Sequence, residues 1–457
     1  MPKQIRLNAF DMNCAVHQSQ GLWRHPRDRS TNYKSMSYWL ELARDLERGL
    51  FDGIFLADVA GIYDVYGNSP DAALRNGVQV PVNDPFMVVP AMAAVTKNLG
   101  FGVTGNLSYE PPYVFARRLT TLDHLTNGRF GWNIVTGYLN SAAKATGLAK
   151  QTAHDTRYEI AAEYMDLMYK LWESSWEDDA VRADKTSGVY VDPAKVHRIR
   201  HDGEYFKLDA VYLAEPSPQR TPVLYQAGTS PKGIAFAGRH AECVFIAPGS
   251  KKGAKPMVDA IRHAAVQSGR QPNDVLIFGM MTVIAARSDA DAADLLDEYR
   301  TYASHEGALV LLSGWSGVDF STYDPDEPVR YVKNDAVQTL LAGATRSDPS
   351  RTVSQAAAYL AVGGAGPLIV GSPGTVADGM QAWIAETGMD GFNLTYTVAP
   401  ESIRAFIDLV VPELQTRGVY KTRYVPGTLR EKLFGGSPRL QPLHYGASFR
   451  DRVSESD

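Results

Sequence analysis

Apolar positions along this chain alternate between two spacings, short continuous runs typical of buried strands and three- to four-residue repeats typical of helices. The runs at 5–10, 53–58, 99–107 and 129–136 predict strands, separated by helical patterns at 38–50, 84–96 and 112–125 and followed by one at 157–172. Prolines open the helix at 112, a favoured first-turn position, and Asn127-Gly128 stops it. The rhythm stalls over 173–220, which is charged and turn-rich, and resumes with strands at 222–228, 242–247 and 275–285 and helices at 231–240, 257–268 and 290–303. A second irregular block spans 304–367, and a helix at 375–387, a strand at 391–396 and a helix at 403–414 complete the pattern. Eight strands, nearly all followed by a helix, predict an α/β chain folded as a (β/α)8 TIM barrel with long insertions after strands 4 and 7. A single barrel domain over 1–419 is expected, carrying insertions at about 173–220 and 304–367, with an Arg/Pro/Gly-rich C-terminal extended arm at 420–457. An open doubly wound sheet is the structural alternative, but its early glycine-rich turn is missing.

Composition narrows the class. The chain has 457 residues, 44% hydrophobic and 21% charged, which suits a large buried core. A formal charge of −5 gives no reason to expect a polyanionic partner, so nucleic-acid binding is not expected. Two cysteines, Cys14 and Cys243, make neither a disulfide framework nor a metal motif. The start, Met-Pro-Lys-Gln-Ile-Arg, enters a strand pattern without a signal-peptide apolar region, and no apolar run is long enough to span a bilayer. A cytoplasmic protein with no membrane partner is expected. Gly-x-Gly-x-x-Gly after a strand, Walker A, His-Glu-x-x-His and Cys-x-x-Cys are all absent. Most hydrolase, metalloprotease and dinucleotide-domain readings go with them. No metal site is expected, and the acidic run Glu177-Asp178-Asp179 reads as a solvated turn.

The most informative segment is 128–147. Its strand breaks into Thr136-Gly137-Tyr138-Leu139-Asn140-Ser141, a small polar run at the carboxyl end of a strand. In parallel α/β proteins ligands bind at that end. Hydroxyls, an amide and a glycine suit a phosphate or a flavin edge, though helix capping alone also favours such residues. His154 and Tyr158 lie four apart at a helix start, and Gly228 and Ser230 open another; both starts are natural phosphate sites.

Leu125-Thr-Asn-Gly-Arg-Phe-Gly-Trp-Asn-Ile-Val-Thr136 with Tyr138-Leu-Asn-Ser-Ala-Ala143 resembles the signature of the nitrilotriacetate/dibenzothiophene-sulfone monooxygenase group of bacterial-luciferase-like flavin monooxygenases. Gly21-Leu-Trp-Arg-His-Pro26, Phe55-Leu-Ala-Asp58, His154-Asp-Thr-Arg-Tyr158, Gln226-Ala-Gly-Thr-Ser230 and Asp390-Gly-Phe-Asn393 extend the resemblance over nearly the whole chain. Within the group it is similar to the dimethylsulfide and long-chain alkane monooxygenase branches. The resemblance implies a barrel that takes reduced FMN from a separate NAD(P)H:flavin reductase and uses dioxygen to place one oxygen atom on a small substrate. The missing dinucleotide motif agrees with an external source of electrons.

Carried over residue by residue, the resemblance puts Asp58 near the flavin ring, with a helix cap or rim ion pair as its other reading. Asn106 becomes a partner for a flavin carbonyl, or an ordinary loop amide. Thr136, Gly137 and Tyr138 match positions lining the flavin, although related chains often carry Ser where this one has Gly137. Tyr158 reaches the phosphate by the same resemblance, and His154 is either its neighbour there or a capping histidine. Cys14 and His17 line the substrate side, His17 as a hydrogen-bond donor to the reacting oxygen, Cys14 alternatively as a small buried hydrophobe. Tyr63 is a candidate for a role like that of His17, with aromatic packing as the alternative. The segments 304–324 and the loop after Cys14, with Leu309, Leu311, Leu312, Trp315 and Phe320, are mainly apolar. They suit a dialkyl sulfide, a sulfone or an alkane and lack the clustered Arg or Lys an aminopolycarboxylate would need. A homodimer or homotetramer is expected. A deazaflavin- or FMN-dependent dehydrogenase on the same barrel is the competing reading.

Overall fold

The computed structural model describes residues 3–329 and 350–455. Its strands in chain order begin with β1 (Arg6–Met12), β2 (Gly53–Ala57), β3 (Gly100–Asn106) and β4 (Phe130–Val135). Four short strands follow, β5 (Val181–Asp184), β6 (Val189–Val191), β7 (Arg198–Asp202) and β8 (Lys207–Val211). The series ends with β9 (Val223–Gln226), β10 (Cys243–Ile246), β11 (Leu276–Ala285), β12 (Leu368–Gly371) and β13 (Gly391–Thr395). Parallel pairing runs from β1 through β2, β3, β4, β9, β10 and β11 to β13, which returns to β1 and closes eight strands into a barrel. All ten residues of β11 are buried, as expected where side chains on one face fill the barrel and those on the other meet helices. Phe10, Phe55, Tyr225, Phe278 and Met280 pack inside the barrel. On the outer face Leu7, Ile54, Phe101 and Ile277 join helix residues such as Leu46, Leu119 and Ile261.

The first insertion departs from the expectation of irregular chain. It forms two antiparallel hairpins, β5–β6 and β7–β8. Their strands are short and largely exposed, and β7–β8 turns little more than Ile199 and Leu208 toward the core, so the apolar signal that marks a strand in sequence is weak. The second insertion contains the helices His305–Ser316 and Val353–Ala361, which pack through Ala308, Leu312, Ala357 and Leu360. Residues 330–349 of that insertion lie outside the described residues. β12 was not anticipated; its four residues extend the sheet beside the end of β11.

The tail from Tyr420, expected as an extended arm, winds beneath the same barrel and includes the helix Leu429–Phe434. Leu429 and Leu433 enter the interior cluster from below. Between them Arg430 is fully buried and pairs with buried Glu242 at 2.7 Å. Its other nitrogens reach the carbonyls of Gln219, Thr221, Pro222 and Pro438. In the acidic run, Asp178 pairs with Arg220 and Arg439.

Candidate active site

The carboxyl ends of the strands surround a cavity of about 330 Å³. Strand order explains its membership: His17 follows β1, Asp58 and Tyr63 follow β2, Asn106 ends β3, and Thr136, Gly137 and Tyr138 follow β4. Gly228 and Ser230 follow β9, while His154 and Tyr158 come from the start of the helix His154–Tyr169. Every expected site residue except Cys14 lines this one cavity. Cys14 sits behind the wall, where its thiol donates to the Val16 carbonyl at 3.2 Å and burial pushes its pKa up. It is held as a protonated thiol and does not reach the cavity.

One end of the cavity is built for an anion. Ser230 caps the helix Pro231–His240, its hydroxyl accepting the Gly233 N–H at 3.1 Å. Two glycines leave room under the Tyr158 hydroxyl: an added Cβ would stand 2.6 Å from that oxygen at Gly228 and 2.8 Å at Gly233. Burial raises the pKa of Tyr158, opposed by hydrogen bonding to Ser230 and Gln226 and by the charge of Arg157. Arg157 itself lines the cavity and is 3% exposed. A buried guanidinium, a helix N-terminus and two hydroxyls converge where a phosphate can be bound. The Gln226 side-chain carbonyl, also in the wall, is buried without a partner.

The middle of the cavity is backbone-lined. Gly137 has φ of +73°, and a Cβ there would come within 2.7 Å of the Asn106 amide nitrogen. Both the dihedral and the crowding by side-chain ends favour glycine at this position. The Asn106 side-chain oxygen Oδ1 accepts the Ser108 N–H at 3.0 Å, and the Ser108 hydroxyl donates to the Thr136 backbone carbonyl at 2.8 Å. These bonds fix two loops against each other around Gly137.

At the other end a hydrogen-bonded chain has a forced direction. The Gln79 amide donates to the His17 carbonyl at 2.9 Å, so its own carbonyl accepts from Tyr63 at 2.9 Å. The Tyr63 oxygen is then the acceptor for the Tyr138 hydroxyl at 2.8 Å. Trp315, from the second insertion, packs with both phenols. Beside them the His17 ring stands edge-on to Phe10, centroids 4.4 Å apart. Burial lowers the His17 pKa to about 3, so the imidazole is neutral at neutral pH. In the tautomer that pairs with the Gln18 amide at 3.1 Å, Nε2 accepts and Nδ1 keeps a proton that has no partner. Burial moves Asp58 the other way, up to about 7, despite a bond from the Val59 N–H. A neutral donor and an acid that exchanges its proton near neutrality thus face one cavity.

Arg157, Gln79 and Gln226 were not anticipated. Arg157 lies inside the His154–Tyr158 pair, where a phosphate site needs a cation, and that was the available signal. Gln79 falls in a stretch to which no element could be assigned. Among the described residues lining the cavity, Arg157 is the one permanently charged cation, and the opposite end is lined by Val59, Leu139, Ala142, Trp315 and Ala365. Among the described residues no group of His, Cys, Asp and Glu forms a metal site, and no helix is long and apolar enough to cross a membrane.

Known proteins share the sequence and the barrel fold of this chain. The profile of the luciferase-like monooxygenase family matches residues 17–391. Dimethyl-sulfide monooxygenase of Hyphomicrobium sulfonivorans is 50% identical over 454 residues, covering 99% of this chain and 95% of that protein. Long-chain alkane monooxygenase of Geobacillus thermodenitrificans strain NG80-2 is 47% identical over 452 residues, covering 99% of each. The crystal structure of DmoA from Hyphomicrobium sulfonivorans superposes with a TM-score of 0.94, covering 100% of this chain and 97% of that one.

Proposed function

The chain belongs to the luciferase-like monooxygenase family, and from that premise we propose that it is the oxygenase component of a two-component, reduced-FMN-dependent monooxygenase acting on a small apolar or organosulfur molecule. The observation that carries this reading is the polarity of the cavity, with one buried cation at the anion-binding end and an apolar wall at the other. FMN fits the residues present: Arg157, Tyr158, Ser230 and the helix N-terminus would hold its phosphate, and the Thr136–Tyr138 backbone would lie along the ring. When bound, the reduced flavin supplies the electrons that activate dioxygen.

The chain's own residues have three tasks. Neutral His17 offers the Nδ1 proton as a hydrogen bond without adding charge, which suits a reaction whose oxygen must not leave early as peroxide. Asp58 holds a proton below about pH 7 and releases it above. Trp315, with Tyr63 and Tyr138, excludes water from the substrate end, because the hydroxyls satisfy one another instead of binding solvent. Without a nucleotide-binding motif of its own, the chain would draw reduced FMN from a separate NAD(P)H:flavin reductase. Cytoplasmic location and assembly as a homodimer or homotetramer go with this reading.

The test is a parallel product screen with purified protein, a generic flavin reductase, NADH and oxygen. Dialkyl sulfides, sulfones, alkanes and aminopolycarboxylates are offered separately, with labelled dioxygen. Incorporation of one labelled atom into a neutral substrate is expected. Substrate oxidation that proceeds without oxygen would replace the reading with a dehydrogenase, and a preference for the polycarboxylate would overturn the substrate class.

A further inference from the structure

A second cavity of about 300 Å³ lies against β1 and the end of β13, bordered by the helix Met36–Arg48. Phe10 is shared with the first cavity, but Asp11, Tyr38 and Tyr396 belong to this one alone. Asp11 is 3% exposed, and one of its oxygens accepts the Met12 N–H at 2.7 Å. The Tyr396 hydroxyl is buried beside the Asp11 carboxyl, whose charge it favours, and no protein group forms a well-aligned hydrogen bond with it. Tyr38 brings a second, half-buried phenol, and Leu42, Leu394 and Ile403 form an apolar stretch of a wall that also carries Asn32, Ser35 and Ser37.

The surrounding charges select the sign of a ligand. Asp28 lies near Asp11, its own oxygens taken by Ser30 and by the Ala399 N–H. Glu41 stands at the rim, 3.5 Å from Arg404, and Arg29 is the cation lining the cavity. The buried thiol of Cys14 approaches Asp11 from the loop after β1. An anion would meet Asp11 at close range in a low-dielectric site. A neutral alcohol brings one donor for two acceptors. An ammonium group brings several donors and the charge the carboxylate lacks, and phenol faces attract cations.

We propose that this cavity binds a small primary alkylammonium ion, its N–H groups donating to Asp11 and Tyr396 and its alkyl chain lying against Leu42, Leu394 and Ile403. Burial pushes the Asp11 pKa up to about 7, and burial likewise raises those of Tyr38, Tyr396, Asp28 and Cys14 around it. The ligand binds the ionised carboxylate, so affinity rises with pH to about 7 and levels above it. Below that point it falls about tenfold per pH unit.

Isothermal titration of the full chain with n-butylammonium chloride, and separately with n-butanol, tests the site. Saturable binding of the ammonium ion is expected, with the neutral alcohol weaker by at least about tenfold. Asp11→Asn should remove the pH dependence and weaken binding by more than about tenfold, and Leu42→Trp should block the apolar half. Tyr396→Phe, the mildest change, should weaken binding a few-fold while the circular dichroism melt stays that of the parent. If Asp11→Asn fails to fold, Leu42→Trp and Tyr396→Phe decide the question. The proposal falls if the parent gives no saturable heat, if butanol binds as well as the ammonium ion, or if folded variants bind as the parent does.

Discussion

At the bottom of the barrel every nitrogen of the buried Arg430 guanidinium reaches an acceptor, and Glu242 completes the pair. At the mouth, the carbonyls of Gln18 and Gln226 and the Nδ1 of His17 are as deeply buried and reach nothing. Both ends belong to one core and are built from similar strands. The difference lies in what each polar group is for. A satisfied network closes a surface permanently, whereas an unsatisfied one keeps bonding capacity for something that comes and goes. At the mouth, burial holds His17 neutral and leaves Asp58 poised near neutrality.

The largest expected effect breaks the bottom. Arg430→Met leaves Glu242 buried and unpaired, and urea unfolding should show a loss of about 3–5 kcal/mol, much of it restored when Glu242 is also made apolar. A restored double variant that lost flavin binding would contradict the division between the two ends.

Asp58→Asn probes the mouth with the opposite sign. The raised pKa means that the folded state holds the Asp58 proton more tightly than the unfolded chain does. The parent therefore loses stability as pH rises from about 4 to about 7, and the variant does not. The variant should gain on the parent by at most about 1.4 kcal/mol per pH unit across that window, and the gain should then level off. Thermal melts at a series of pH values check this, and a gain confined to alkaline pH would refute the assignment.

Gly137→Ala places a methyl where φ is +73° and the Asn106 amide is 2.7 Å away. A cost of about 1–3 kcal/mol is expected, read as weakened FMN binding by fluorescence titration. Gly188 is the control: it has φ of +74° with nothing within 4 Å of an added Cβ, so alanine there should leave FMN binding unchanged.

The smallest effect comes from Tyr63→Phe, which takes the donor from the Gln79 carbonyl. It should cost about 1 kcal/mol in stability. Its sharper sign should be more hydrogen peroxide per oxygen consumed, measured with a peroxide probe, because water gains a partner at the substrate end.

The sequence was legible where burial was strongest. β11 is buried along all ten residues, and its apolar run sets it apart from a helix by its length and its bounds. The hairpins β5–β6 and β7–β8 escaped because short, mostly exposed strands carry little apolar signature, and β12 because four residues are too few to show a period. In the site, residues at strand ends and helix starts could be anticipated, since the fold itself gathers them. Gln79 could not, because its place depends on a loop that takes its geometry from Tyr63 and the His17 carbonyl. Cys14 sat at a strand end and still missed the cavity, since the same turn directs its thiol at Val16 and not at the opening.

The helix Leu429–Phe434 has a consequence for how the protein is made. Arg6 of β1 donates to the carbonyls of Lys432 and Leu433, and an added Cβ on Gly100 of β3 would stand 2.5 Å from Leu429. Strands β1 and β3 are thus completed by a helix that is made far later in the chain. Until it arrives, a nascent chain carries an unsealed apolar barrel floor and an unpaired Glu242. Quality control acting on unfinished chains would meet that floor first, and a stop codon anywhere before residue 429 would leave it open.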